Sequence, residues 1–133
     1  MKQTYTFKEF KLICLREMPT TTETQLLCDS PIFAANYWRE FITKNPFLNQ
    51  DVESFWVLYL NTRRRVTGCS FVSQGTLDTI LVHPREVFRN AIVENAAAII
   101  LMHCHPSGDP TPSEADIKVT RDLIRAGQLL KID

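Results

Sequence analysis

The sequence has little of several features that mark specialised classes of protein. Its longest uninterrupted apolar stretch, residues 96–102, is far shorter than the roughly 20 residues that span a bilayer. Its 15 basic residues balance its 15 acidic residues, so no overall field attracts polyanions. Its four cysteines form no C-x-x-C pair. We therefore expect free thiols in the cytoplasm, no membrane contact, and nucleic-acid binding that the overall charge does not support.

The first half of the chain predicts a strand, a helix and a hairpin. Aromatic and polar residues mix over residues 5–15, as in a half-buried strand. The run Asp29-Ser30-Pro31 combines a capping side chain with proline at the first helical position, and predicts a helix from residue 31 to about 44. Its apolar stripe should pack on the sheet and comprises Ile32, Ala35, Trp38, Phe41 and Ile42. Residues 53–60 and 66–73 predict two strands joined by a turn that displays Arg63, Arg64 and Arg65 to water.

The second half predicts more helices and strands in alternation. Residues 79–82 indicate a short strand, and His83-Pro84 begins a helix that should end near Asn95. The continuous apolar run over residues 96–102 is typical of a central strand buried on both faces. Ser113 begins a last helix, to about Ala126. We expect an α/β or α+β fold in which helices flank a mixed sheet.

Two histidines follow the apolar strand directly. Because side chains of a strand alternate between its faces, His103 and His105 should project to the same side and Cys104 to the other. Two imidazole nitrogens can therefore approach one metal ion. We expect Cys104 to serve packing.

Asp116 lies in the first turn of the last helix, after a loop that holds three of the seven prolines. If the loop folds this turn back, a carboxylate joins the histidines, and two His and one Asp leave a fourth tetrahedral position open for water. Zinc suits this donor set, although iron or manganese accepts similar ligands. The alternative is local, because Ser113-x-x-Asp116 is also the pattern of an ordinary capping box.

Together these residues form H-x-H-P-S-G-D-P-T-P-S-x-x-D, which resembles the JAMM metallohydrolase motif and, more specifically, the RadC-like branch of the JAB/MPN domains. The resemblance continues upstream through residues 72–88 and the strand beginning at Glu53. It implies a cytidine-deaminase-like JAB/MPN fold over residues 1–133, with the strand and helix in about residues 1–48 as a family-variable extension. The resemblance also leads beyond Asp133 into further strands, so we expect either that the C-terminal strands are truncated or that the edge of the sheet is completed in another way.

The resemblance implies a role for each matched residue. His103, His105 and Asp116 are expected to bind one Zn²⁺ per chain, and Ser113 to donate a hydrogen bond near the oxyanion. A glutamate upstream is expected to act as general base, and Glu53 matches its place. Glu86 competes for that role, but an acidic residue is favoured in the first turn of any helix.

The function implied by the resemblance is a zinc-dependent metallopeptidase or isopeptidase whose natural substrate the sequence does not identify. The alternative is a non-catalytic interaction or DNA-repair accessory module that keeps the fold. RadC-like proteins commonly carry a helix-hairpin-helix region, and no such Gly-rich motif precedes residue 50 here. An uncovered sheet edge would also invite pairing with a second copy, so a homodimer is a further hypothesis.

Overall fold

Three helices and a three-stranded sheet make up the fold, which confirms the predicted α+β class. The computed structural model describes residues 2–6, 8–9, 27–46, 48–75 and 82–133. In chain order the elements are α1 (Pro31–Tyr37), a π-helical turn (Trp38–Ile42), β1 (Ser54–Leu60), β2 (Val66–Gln74), α2 (Pro84–Val93), β3 (Ala98–His103) and α3 (Glu114–Leu130). The strands predicted over residues 5–15 and 79–82 lie largely outside the described residues.

The centre of the sheet is β1, which pairs antiparallel with β2 on one side and with β3 on the other. All seven of its residues are buried. The predicted hairpin between β1 and β2 is confirmed, and the Asn61 side chain closes its turn by accepting hydrogen bonds from the backbone of Arg63 and Arg65. Arg63 and Arg64 are exposed, as a solvated turn requires.

The apolar run over residues 96–102 predicts a central strand, but among the described strands the central one is β1. β3 lies at the edge of the three described strands, and only Ala98 within it is fully buried. Beyond that edge, Asp133 donates to the Ala97 carbonyl and accepts from the Ile99 amide, which is the hydrogen-bond pattern of parallel strands. A continuous apolar run indicates that a strand is buried. It does not indicate which other strands pair with it, and so it does not fix the position of the strand in the sheet.

The side chains of β1 alternate between two hydrophobic clusters. Phe55, Val57 and Tyr59 pack with residues of α2 and α3 on one face. Leu58 and Leu60 pack with Cys28 and Tyr37 on the other, so α1 lies opposite α2 and α3. Full burial of an aliphatic side chain contributes about 1.5–3 kcal/mol, so this strand anchors both layers.

The first helix differs from its prediction in two respects. Ser30 occupies the N-cap position, but its side chain makes no capping hydrogen bond. The predicted stripe is also only partly correct: Phe41 packs on the core as expected, but Ile32 is 68% exposed, and the buried Tyr37 was not part of the stripe. Both faces of this segment are apolar, so only tertiary contacts select the one that is buried. The π-helical turn then brings Ile42 inside, where it is 1% exposed.

The two later helices are amphipathic. α2 buries Val87, Phe88 and Ala91 but leaves Ile92 exposed. α3 continues past its predicted end at Ala126 to Leu130, and it buries Leu123 and Gly127. Within the described ranges, neither these helices nor α1 has the length and hydropathy needed to cross a bilayer.

Candidate metal centre

The end of β3 brings two imidazoles to one side of the chain. The Nε2 atoms of His103 and His105 are 2.8 Å apart. Cys104 between them faces the other way, since its Sγ lies 3.5 Å from the Val52 carbonyl oxygen and 3.9 Å from the Ser54 hydroxyl. The alternation expected of a strand is therefore confirmed, and Cys104 serves packing.

Asp116 approaches the histidines from the first turn of α3. Its Oδ2 lies 3.2 Å from Nε2 of His105 and its Oδ1 lies 3.4 Å from Nε2 of His103. The capping box is formed as well: Oδ2 accepts from the Ser113 amide at 2.8 Å, and the Asp116 amide donates to the Ser113 hydroxyl oxygen at 3.1 Å. The capping box is therefore confirmed, and the same carboxylate also reaches both histidines. The hydrogen bonds of the capping box hold the Asp116 carboxylate in position beside the two histidines.

The geometry of the three donors fits a metal ion. Each offers one ligand atom, and these atoms all lie within 4.8 Å of one another. Ligand distances of about 2.0–2.2 Å in a tetrahedral zinc site place neighbouring donor atoms roughly 3.3–3.6 Å apart. The carboxylate separations of 3.2 and 3.4 Å are close to that spacing, whereas the two imidazoles are slightly nearer. The group could therefore hold one ion after a small movement of the rings.

The tautomer of His105 follows from its other ring nitrogen. Nδ1 lies 2.7 Å from the carbonyl oxygen of Asp109, and a carbonyl can only accept, so Nδ1 must carry a hydrogen. In the neutral ring Nε2 then presents a lone pair to the cluster. This lone pair is the one that a metal ion would need.

The charges around the cluster reinforce one another. The hydrogen bond to Asp109 raises the pKa of His105; burial opposes this, and the carboxylates of Asp116 and Glu53 raise it further. Burial alone would raise the pKa of Asp116, but its hydrogen bonds with Ser113 and the two imidazoles lower it. Asp116 is therefore held as a carboxylate, the form that binds a cation.

The two candidate bases occupy different environments. Glu53, which immediately precedes β1, is 8% exposed, and its charge acts on His105. Strand alternation places its side chain on the same face as Phe55, whose ring stacks on that of His103 with centroids 6.1 Å apart. Glu86 is exposed, and both of its carboxylate oxygens accept from Arg89 at 3.0 and 2.9 Å. The geometry therefore favours Glu53.

Two further predicted side chains have defined partners. The Ser113 oxygen accepts from the Asp116 amide, so its own hydroxyl hydrogen can be donated elsewhere. His83 caps α2, because its Nδ1 accepts from the Arg85 amide at 3.2 Å. Among the described residues it takes no part in the three-residue cluster.

A pocket of about 270 Å³ borders His103 and Asp116. Its remaining walls are mainly apolar and include Phe55, Leu101 and Val119. The pocket is slightly smaller than the roughly 300 Å³ at which sites for drug-sized ligands begin. It has room for a side chain or a short segment of chain beside the cluster.

Sequence reasoning missed two contributors to this site. The Asp109 carbonyl orients His105, and the Phe55 ring supports His103. For Asp109 a signal was present, since an Asp before proline in a Ser/Gly/Thr loop often closes a turn with its own side chain. For Phe55 there was none, because its contact depends on the pairing of β1 with β3.

The fold and the cluster define a small α+β domain with a His-His-Asp group that could hold a metal ion. Comparison with known proteins agrees, because residues 29–133 match the RadC-like JAB domain. The chain therefore belongs to the RadC-like JAB family, which points to metal-dependent hydrolases of the JAMM type.

Several relatives are named UPF0758 proteins. The one from Desulforudis audaxviator is 55% identical over 82 residues, which is 62% of this chain and 36% of the relative. The one from Methanosarcina mazei is 49% identical over 84 residues, or 63% of this chain and 37% of the relative. The one from Desulforamulus reducens is 40% identical over 119 residues, or 90% of this chain and 49% of the relative. The chain spans about a third to a half of the length of these curated relatives.

Proposed function

We propose that this domain is a zinc-dependent metallohydrolase that cleaves a peptide or isopeptide bond. The observation that carries the proposal is the convergence of His103, His105 and Asp116 next to the buried Glu53. A capped helix and a strand end hold the ligands, and the buried Glu53 is near enough for its charge to act on His105. Two nitrogen donors and one oxygen donor favour zinc among the common divalent ions, and leave a position for water.

The three ligands would hold the cation, which when bound acts as a Lewis acid and makes water a stronger nucleophile at neutral pH. Glu53 accepts a proton from the attacking water and passes it to the departing nitrogen, so the C–N bond breaks with a neutral amine as product. Its buried position keeps the carboxylate close to the reacting atoms and away from competing cations. The exposed Glu86, already paired with Arg89, has no such access.

Ser113 and the pocket would act on the substrate itself. The Ser113 hydroxyl hydrogen is free to donate to the oxygen of the attacked carbonyl, where negative charge develops. The pocket beside His103 and Asp116 offers apolar walls to a substrate side chain next to the scissile bond. Both features support an amide substrate over a small charged one.

The test compares Glu53→Gln with Glu86→Gln, which makes the same chemical change on the exposed glutamate. Zinc content by elemental mass spectrometry should be about one per chain in the wild type and in both variants. Activity is then measured on quenched-fluorescent peptide and ε-amide lysine libraries. We expect Glu53→Gln to lose turnover by about 100-fold or more, the usual contribution of a general base, with Glu86→Gln unchanged.

Each other outcome points elsewhere. Full activity in Glu53→Gln would remove Glu53 from the chemistry. A zinc-loaded wild type that cleaves neither library would favour the non-catalytic interaction module. Failure to bind any of zinc, iron or manganese would reject the metal centre itself.

A further inference from the structure

The loop between His105 and Ser113 is a closed turn. The Gly108 amide donates to the His105 carbonyl at 2.9 Å, so the chain reverses immediately after the second histidine. Gly108 has φ +80°, a conformation that L side chains rarely adopt. Pro110 and Pro112 restrict the backbone that follows. The reversal directs the next residue back toward the ring of His105.

Asp109 ties this turn together with its side chain. Its Oδ1 accepts from the Thr111 amide at 3.0 Å and from the Thr111 hydroxyl at 2.7 Å. Its own amide donates to the Ser107 hydroxyl at 3.3 Å. These three bonds fix the peptide unit that carries the Asp109 carbonyl. The side chain itself faces solvent and is not part of the His-His-Asp cluster.

The carbonyl fixed in this way is the one that contacts His105. At 2.7 Å from Nδ1 it accepts the Nδ1 hydrogen, and this determines both the tautomer and the plane of the ring. With the hydrogen on Nε2 instead, two lone pairs would oppose each other at Nδ1, and the nitrogen that faces His103 and Asp116 would be blocked.

We propose that Asp109 is a positioning residue of the metal centre, whose carboxylate closes the turn on Thr111 and thereby holds its own carbonyl against Nδ1 of His105. The inference rests on the metal centre of the proposed function and gives Asp109 a role without contact to metal or substrate. Loss of a hydrogen-bond partner that orients a metal-bound histidine typically weakens metal binding by about 10–100-fold. We expect an effect in that range from opening the turn.

Three variants separate the turn from the charge. Asp109→Ala removes both bonds to Thr111, whereas Asp109→Asn keeps an oxygen that can accept them. Asp122→Ala removes a carboxylate from α3 and serves as the control for charge. Zinc affinity is measured by competition with a chromophoric chelator. We expect a loss of about 10–100-fold in Asp109→Ala, near wild-type affinity in Asp109→Asn, and no change in Asp122→Ala.

A second measurement reads the ring of His105 directly, without metal or substrate. Long-range ¹H–¹⁵N NMR at pH about 8.5, above the ordinary imidazole pKa of about 6.5, distinguishes the two neutral tautomers. The wild type should carry the hydrogen on Nδ1 of His105, and Asp109→Ala should show a mixture that Asp109→Asn restores.

The outcomes divide cleanly. The positioning role would be overturned by an Nε2–H tautomer of His105 in the wild type, or by a zinc affinity that Asp109→Ala leaves unchanged. Equal losses in Asp109→Asn and Asp109→Ala would assign the effect to charge and also overturn it. A wild type that binds zinc and shows the expected pattern, yet hydrolyses nothing, would reject only the hydrolytic function.

Discussion

The starts of α2 and α3 follow the same local rules and have different consequences. Each helix has a side-chain cap, His83 for α2 and Ser113 for α3, and each has an acidic residue in its first turn. In α2 that residue, Glu86, pairs with Arg89 in solvent. In α3 Asp116 meets two histidines at the end of β3. The local sequence is therefore enough to start a helix. The candidate metal centre requires in addition that the helix start lie next to the two histidines in the fold.

The C-terminal ends of α2 and α3 also share a local structure but differ in what surrounds it. In α2 the Ala96 amide bonds to the Ala91 carbonyl past Asn95, and in α3 the Ile132 amide bonds to the Gly127 carbonyl past Lys131. Asn95 and Lys131 both have positive φ, so the two helices end in the same left-handed turn. Ala91 and Gly127 thus occupy equivalent positions, but a Cβ on Gly127 would lie 2.6 Å from the Ile132 carbonyl oxygen.

The largest contrast should come from removing the two first-turn carboxylates. Asp116→Ala loses a ligand, so zinc affinity should fall by more than the roughly 10–100-fold that accompanies loss of a mere supporting partner. Glu86→Ala should leave zinc affinity unchanged, because the exposed Glu86 pairs with Arg89 and is not part of the His-His-Asp cluster. Isothermal titration with zinc measures both. Equal affinities in the two variants would mean that Asp116 acts only as a cap.

A second contrast concerns the equivalent positions near the helix ends. Gly127→Ala forces a methyl group against a backbone oxygen, and such overpacking should lower the free energy of unfolding by about 1–3 kcal/mol. Gly68→Ala is the control, since its Cβ would meet Tyr59 Cδ2 at an ordinary 3.6 Å. Urea denaturation of the metal-free proteins measures the difference. A Gly127→Ala variant as stable as Gly68→Ala would show that the Ile132 backbone can move aside.

The caps should differ less. Ser113→Ala removes the hydroxyl that accepts from Asp116, and loss of an N-cap costs about 1 kcal/mol. His83→Ala removes the corresponding bond to the Arg85 amide, and its effect should be smaller because histidine is not among the strongly preferred N-cap residues. Urea midpoints give both values. Ser113→Ala should in addition weaken zinc binding slightly, and His83→Ala should not; a reversed order would contradict the role given to the capping box.

The smallest effects should be gains in stability at the left-handed residues. Lys131→Gly relieves a conformation that costs an ordinary residue about 1–2 kcal/mol, less the greater flexibility of glycine when unfolded. Asn95→Gly should gain less, because asparagine tolerates this conformation better. Thermal unfolding ranks the pair. Destabilisation by Lys131→Gly would show that the lysine side chain contributes contacts of its own.

Much of the fold was predictable because its signals are local. Alternation and turn residues located β1, β2 and their hairpin, and proline and capping residues located the starts of α2 and α3. The phase of α1 was not predictable, since Ile32 and Tyr37 are both apolar and lie on different faces. The central position of β1 was not predictable either, because the apolar sequence of a buried strand does not indicate which strands pair with it.

The sequence by itself determined the spacing of His103 and His105, the capping box of Ser113 and Asp116, and the stiff loop between them, since each depends on residues close together in the chain. Only the tertiary structure decided that the box faces the histidines, that Glu53 is buried beside them while Glu86 is not, and that the Asp109 carbonyl orients His105. These are contacts across strands and around a turn. Their energies depend on which surfaces meet, and no local pattern records that.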